Sequence, residues 1–210
     1  MSHPGLFITF EGIDGVGKST QIDLLTEYLA AEGREVVNTR EPGGTDLGNE
    51  IRHLLLHRKG EVAPRSEALL YAADRAHHVA TLIRPALARG AVVISDRYLD
   101  SSVAYQGAAR SLELNEVRNI SLWAVENLLP ALTVLLDLPA EQAHLRRQQT
   151  GSEPDRLERE KLEFFEAARQ EYLNLAAAEP ERFLVVNASE SIEAMQVQIR
   201  AAVSQRLGSN

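Results

Sequence analysis

The chain has no cysteine, and only three of its 22 basic residues are lysines, Lys18, Lys59 and Lys161. Without thiols there is no disulfide framework, no cysteine nucleophile and no cysteine-built zinc or iron–sulfur site. Basic residues are outnumbered by 30 Asp and Glu, for a formal charge of −8 over 210 residues. That balance argues against a broad nucleic-acid surface, because neutralising a run of phosphates needs clustered cations. Long apolar runs are missing too. Leu6–Phe10 is too short for a signal core or a membrane span, and Met1–Pro4 is not a basic leader. Neither repeats nor low-complexity linkers interrupt the chain. The expectation is a cytoplasmic protein in a reducing compartment, without membrane or polymer partners, built as one domain over residues 1–210. The Asn-x-Ser sequences at Asn119 and Asn187 are read as chance.

What remains is a regular alternation of short apolar runs with longer amphipathic ones. Strands are predicted at 6–11, 36–39, 91–95, 133–138 and 183–186. Helices are predicted at 18–31, 46–57, 66–89, 115–129, 141–149, 157–178 and 192–207, with Gly33 and Gly90 as stops. Such alternation implies an α/β fold, a parallel sheet with helices on both faces. Ligands of these sheets sit at the carboxyl ends of the strands, so the residues just after each strand are the ones to inspect.

After the first strand comes Gly12-Ile13-Asp14-Gly15-Val16-Gly17-Lys18-Ser19-Thr20, which fits G-x-x-x-x-G-K-[ST]. Glycines let backbone N–H groups close around phosphate oxygens, and the following helix points its positive end at the same anion. Lys18 neutralises the outer phosphates and Ser19 can hold Mg²⁺, so residues 12–20 are the expected ATP loop. The Asn-Lys-x-Asp sequence with which GTPases read their base is absent. The third predicted strand ends in Ser95-Asp96-Arg97. A carboxylate there needs a metal–water shell or a basic partner, which makes Asp96 a second candidate metal ligand. Arg97 can grip a phosphate with two parallel hydrogen bonds.

Two further segments are more specific than the loop. Arg40-Glu41-Pro42-Gly43-Gly44-Thr45, and Asp96-Arg97-Tyr98 followed by Ser101-Ser102-Val-Ala-Tyr105-Gln106-Gly107, resemble bacterial thymidylate kinase, a family of P-loop nucleoside monophosphate kinases. With Phe10-Glu11-Gly12-Ile13-Asp14-Gly15 the resemblance runs from about Leu6 to beyond Val186. It implies a five-stranded sheet in the order 2-3-1-4-5, a homodimer, and MgATP-dependent transfer of a phosphoryl group to dTMP. By resemblance, Tyr71 stacks on thymine and Arg75, four residues on and on the same helix face, bonds a base carbonyl. Ser102 and Gln106 lie near the base, and Tyr105 packs where a 2′-hydroxyl would project. Asp14 approaches the 3′-hydroxyl, Arg52 and Arg97 grip the acceptor phosphate, and Glu41 lies near the acceptor or its metal shell.

Part of this family carries an arginine in the loop where this chain has Gly15. The missing cation is expected from a lid at about 146–159, with Arg147 and Arg156 as the catalytic candidates beside Lys18 and Arg97. Competing readings are a deoxynucleoside kinase, another nucleoside monophosphate kinase, or a non-enzymatic nucleotide switch. A phosphate-free acceptor would not need both Arg52 and Arg97. His53 and His57 lack a third ligand and are not read as a metal site. His77 and His78 are expected to face solvent. Trp123 is read as core or as a subunit contact.

Overall fold

The computed structural model describes residues 5–110, 112–149 and 155–208. Its elements in chain order are β1 (Leu6–Glu11), α1 (Lys18–Ala31), β2 (Val36–Arg40), α2 (Asp46–Leu56), α3 (Pro64–His78), α4 (Arg84–Ala88) and β3 (Val92–Asp96). Then follow α5 (Leu99–Ser102), α6 (Leu114–Ala124), β4 (Leu132–Asp137), α7 (Ala140–Gln148), α8 (Leu162–Ala178), β5 (Phe183–Asn187) and α9 (Ile192–Gly208). All five strands are parallel, in the order β2-β3-β1-β4-β5. The three middle strands are almost wholly buried, as near-continuous apolar runs should be, while β2 and β5 are half-exposed edges.

Two apolar layers cover the sheet. Ile22, Leu25 and Leu29 of α1 join Phe165, Tyr172 and Ile199 over one face. Val79, Ile83, Leu87, Leu99 and Val125 pack with Phe7 and Val93 on the other. At the carboxyl edge the strand ladder is extended by loop backbone: Glu41 N–H donates to Asp96 O at 2.9 Å and Arg97 N–H to Phe10 O at 2.9 Å. The loops after β2 and β3 are therefore tied to the ends of the neighbouring strands at one end of the sheet.

Several boundaries differ from the sequence expectation, each for a local reason. The helix expected at 66–89 is interrupted by a π-helical turn, Val79–Ile83, just before Pro85, whose missing N–H prevents a regular turn. The helix expected to reach 129 stops at Ala124, because Glu126 and Asn127 adopt φ of 49° and 57°. The segment after β3, where no element is expected, is helical: α5 continues into a π-helical stretch, Val103–Ala109. The helix expected from 157 begins only at Leu162. The Asp155 carboxylate accepts the N–H groups of Leu157 and Glu158, both at 2.9 Å, and holds that segment in a turn. Trp123 is 79% exposed, so its core reading is wrong; Val125 fills the core position instead.

Candidate active site

The turn from β1 into α1 is a cradle of backbone N–H groups. Gly12, Gly15 and Gly17 all have positive φ, which only glycine adopts without strain. Ile13 and Val16 turn their side chains into the core, anchoring the loop from beneath. A Cβ on Gly15 would collide with the carbonyl oxygen of Ala143, so this glycine lets α7 lie directly against the loop. Lys18 folds back over the loop and donates to the carbonyls of Gly12 and Ile13 at 3.0 and 3.1 Å. Burial and the neighbouring Arg97 lower its pKa, against the pull of Asp96, Asp14 and Glu11.

Beside the loop lies a cavity of about 540 Å³, bordered by Asp14, Gly15, Gly17, Lys18, Ser19 and Thr20. Arg40, Arg52, Arg97, Arg146 and Arg147 also line it, as do Asp96, Glu41 and Glu158. Six cations around one opening define an anion site. Among them stands Asp96, whose Oδ1 is buried without a hydrogen-bond partner. An orphaned carboxylate oxygen in the same cavity as a serine hydroxyl is a hard-oxygen pair suited to a magnesium ion that keeps most of its waters.

Arg97 closes this cavity toward a second, narrower one of about 120 Å³. Its backbone has φ 72°, unusual for a residue with a side chain, and is pinned by Ser95 Oγ donating to its carbonyl at 2.7 Å. The guanidinium donates to Asp14 Oδ1 at 2.6 Å and lies 5.1 Å from the centre of the Tyr105 ring. Burial alone would raise the Asp14 carboxyl, but Arg97 and Lys18 outweigh it and hold Asp14 below the usual carboxylate range.

The second cavity is walled by Tyr71 and Arg75 of α3, Ser101 and Ser102 of α5, and Tyr105 and Gln106 of the π-helical stretch. Asp14, Glu41, Arg52, Arg97 and Glu158 border both cavities. Arg75 is 1% exposed and makes four hydrogen bonds. It donates to Glu41 Oε2 at 2.6 Å, to Ser102 Oγ and Tyr98 O at 3.1 Å, and to Ser121 Oγ at 3.3 Å. Arg52 donates to Pro42 O at 2.8 Å. Gln106 donates through its amide to Glu67 Oε1 at 3.0 Å, which leaves its carbonyl oxygen to accept.

The expected lid arginines part company. Arg147 lines the phosphate cavity and forms a double contact with Glu158, Nε to Oε1 at 2.9 Å and Nη2 to Oε2 at 2.6 Å. Arg156 lines neither cavity; it donates to Leu55 O at 2.7 Å and pairs with Glu67. Gly151, Ser152 and Pro154, at the middle of the expected lid, lie outside the described residues.

His78 corrects the sequence reading. It is fully buried rather than solvent-facing, bridging Thr39 Oγ1 at 2.6 Å and Glu41 Oε1 at 3.0 Å. Arg75 and His78 sit three residues apart on α3 and grip the two oxygens of one carboxylate, a pairing invisible without the fold. Arg40, Arg146, Ser101, Asp155 and Glu158 also border the cavities although they were not singled out as site residues. Arg40 and Ser101 had a signal, since they belong to the Arg40–Thr45 and Ser101–Gly107 segments that carry the resemblance.

Two cavities that share Arg52 and Arg97, one of them opening on a glycine-loop cradle, leave room for a phosphate donor and a phosphorylated acceptor on either side. That layout, at the carboxyl edge of a 2-3-1-4-5 parallel sheet, defines a P-loop nucleotide kinase. The chain belongs to the thymidylate kinase family, whose model matches residues 10–199. It is 63% identical over 197 residues to the thymidylate kinase of Clavibacter sepedonicus, covering 94% of this chain and 93% of that one. Identity to the thymidylate kinase of Leifsonia xyli subsp. xyli is 61% over 206 residues, covering 98% of each. The crystal structure of thymidylate kinase from Ehrlichia chaffeensis superposes with a TM-score of 0.78 at 30% identity, covering 95% of this chain and 98% of that one.

Proposed function

We propose that this chain phosphorylates dTMP to dTDP with ATP, supplying dTTP for DNA synthesis. The observation that carries this reading is Arg97, held between the two cavities. An oxygen of the dTMP phosphate attacks the γ-phosphorus of ATP, the bond to the β–γ bridging oxygen breaks, and ADP leaves. Residues 12–20 hold the ATP phosphates, with Lys18 moving from the loop carbonyls onto them. Arg97 and Arg52 align the acceptor phosphate, and Asp14 orients Arg97 while facing the sugar. Preorganised cations hold the charge that develops on the transferring group. Arg147 supplies a further cation at the phosphate cavity; its place in that lining supports it over Arg156.

Tyr71 and Arg75 face the base, with Ser102 and Gln106 beside them, and Tyr105 closes the floor where a ribose 2′-hydroxyl would project. Glu41 clamps Arg75. Mg²⁺ accompanying ATP would be held by Ser19 and Asp96, where it would offset phosphate charge. The chain acts as one domain with a lid at about 146–159, in the cytoplasm. It works as a homodimer, for which the exposed Trp123 offers contact area; a sedimentation mass near 23.2 kDa would contradict the dimer. No helix among the described residues is long and apolar enough to cross a membrane.

The test is formation of dTDP from dTMP and MgATP, with Lys18→Ala as control. The variant should lose about a hundredfold or more in kcat, since it removes a charge placed for the transition state. Undiminished turnover would remove the loop from the chemistry.

A further inference from the structure

Next to Arg97, but in the lining of neither cavity, lies a carboxylate to which the proposed reaction gives no role. Glu11 is the last residue of β1 and is fully buried. Its Oε1 accepts the backbone N–H of Tyr98 at 2.8 Å. Its Oε2 accepts from Ser101 Oγ at 2.6 Å and from the Tyr172 hydroxyl at 2.9 Å. Those same two hydroxyls stand 2.8 Å apart, and each accepts from Arg97 Nη1 at 3.2 Å. The carboxylate, two hydroxyls and guanidinium thus form one closed relay.

The direction of the hydrogen bonds gives this relay its meaning. Above pH 7 the Glu11 carboxylate is ionised and only accepts, so the two hydroxyl protons are spent on it or on the contact between the hydroxyls, and neither faces Arg97. Their lone pairs are then left to face Arg97, which only donates. Glu11 therefore sets the polarity of both hydroxyls, and the hydroxyls fix Nη1. With Nη1 fixed on this side and Nη2 on Asp14, the guanidinium plane has one orientation. We propose that Glu11 is the positioning residue that fixes the Arg97 guanidinium for the acceptor phosphate, acting through Ser101 and Tyr172. This rests on the assignment of Arg97 to the acceptor in the preceding section.

Glutamine at this position has the same shape but not the same polarity. Its carbonyl oxygen is needed by Tyr98 N–H, so its NH₂ group would face the two hydroxyls and donate to them. The hydroxyl protons would then be driven toward Arg97, donor against donor. At pH 8, where Glu11 is ionised, Glu11→Gln should raise the KM for dTMP about tenfold or more, the scale of a lost hydrogen bond to a charged group, with the KM for ATP unchanged. In an Arg97→Ala background the same substitution should add less than about twofold, because its target is gone. Tyr172→Phe, which deletes one arm outside both cavities, should show a smaller rise in the KM for dTMP and the same loss of effect without Arg97. It stands in for Glu11→Gln should that variant not fold.

Equal rises in both KM values, or full additivity with Arg97→Ala, would reduce Glu11 to a structural residue and overturn the proposal. If Arg97→Ala itself leaves the KM for dTMP unaltered, the acceptor assignment has failed instead.

Discussion

Arg97 and Asp14 form a partly covered ion pair at 2.6 Å, and both belong to segments whose backbone has positive φ, Arg97 itself and the glycines flanking Asp14. Strained backbone persists where surrounding bonds over-determine it. Here those bonds come from Ser95, Phe10 and the relay ending on Glu11. Two carboxyls close to this frame keep their protons unusually well. Burial, helped by the charge of Asp100, pushes Glu11 up to about 7. Burial and the charge of Glu41 push Asp74, which accepts Gly43 N–H, up to about 7 as well. Each group binds its proton more tightly in the folded chain than in the unfolded one. The stability each contributes is complete below the ordinary carboxylate values of 4.5 and 3.8 and is lost as pH rises through about 7. Subtracting the Tm–pH curve of Glu11→Gln or Asp74→Asn from that of the parent should give a difference that falls from pH 4.5 to 7. A flat difference would mean that neither carboxyl carries the shift.

At the scale of elements, α7 and the glycine loop are matched. Because Gly15 has no side chain, Ala143 can touch the loop, and Arg147, one helical turn on, reaches the phosphate cavity. Arg156, in the turn before α8, reaches α2 and Glu67 instead. Arg147→Ala should cost about a hundredfold or more in kcat, as expected for an arginine on a transferring phosphoryl. Arg156→Ala should leave kcat within about threefold and lower stability by about 1–3 kcal/mol, since it strips a partner from buried Glu67. Steady-state kinetics with thermal melts separate the two; the reverse pattern would move the catalytic role to Arg156.

The strands were legible because their residues are mainly apolar and β-branched, and the loop because its glycines and lysine have no other reason to be spaced so. The helix after β3 was not. Residues 99–107 are buried on every side, so Asp100, Ser101, Ser102 and Gln106 leave no amphipathic stripe to read. His78 was misplaced for a similar reason: its burial depends on Thr39 and Glu41, which only the β2–α3 packing brings to it.

Taken whole, the molecule carries a net charge of −8 and still gathers Lys18, Arg40, Arg52, Arg97, Arg146 and Arg147 around one opening. Bulk charge bears on long polyanions, whereas a pocket answers to the few charges that line it. The central claim is that the second cavity was built for one phosphorylated deoxynucleoside, dTMP, and that Arg52, Arg97 and Tyr105 make it so. The most direct measurement is kcat/KM with saturating MgATP for dTMP, dUMP, dCMP, the ribonucleotide of thymine, and thymidine. The account predicts dTMP first, the ribonucleotide at least about tenfold poorer from the clash at Tyr105, and thymidine nearly inert for want of the phosphate that Arg52 and Arg97 hold. Thymidine, dUMP or dCMP turned over better than dTMP would contradict it.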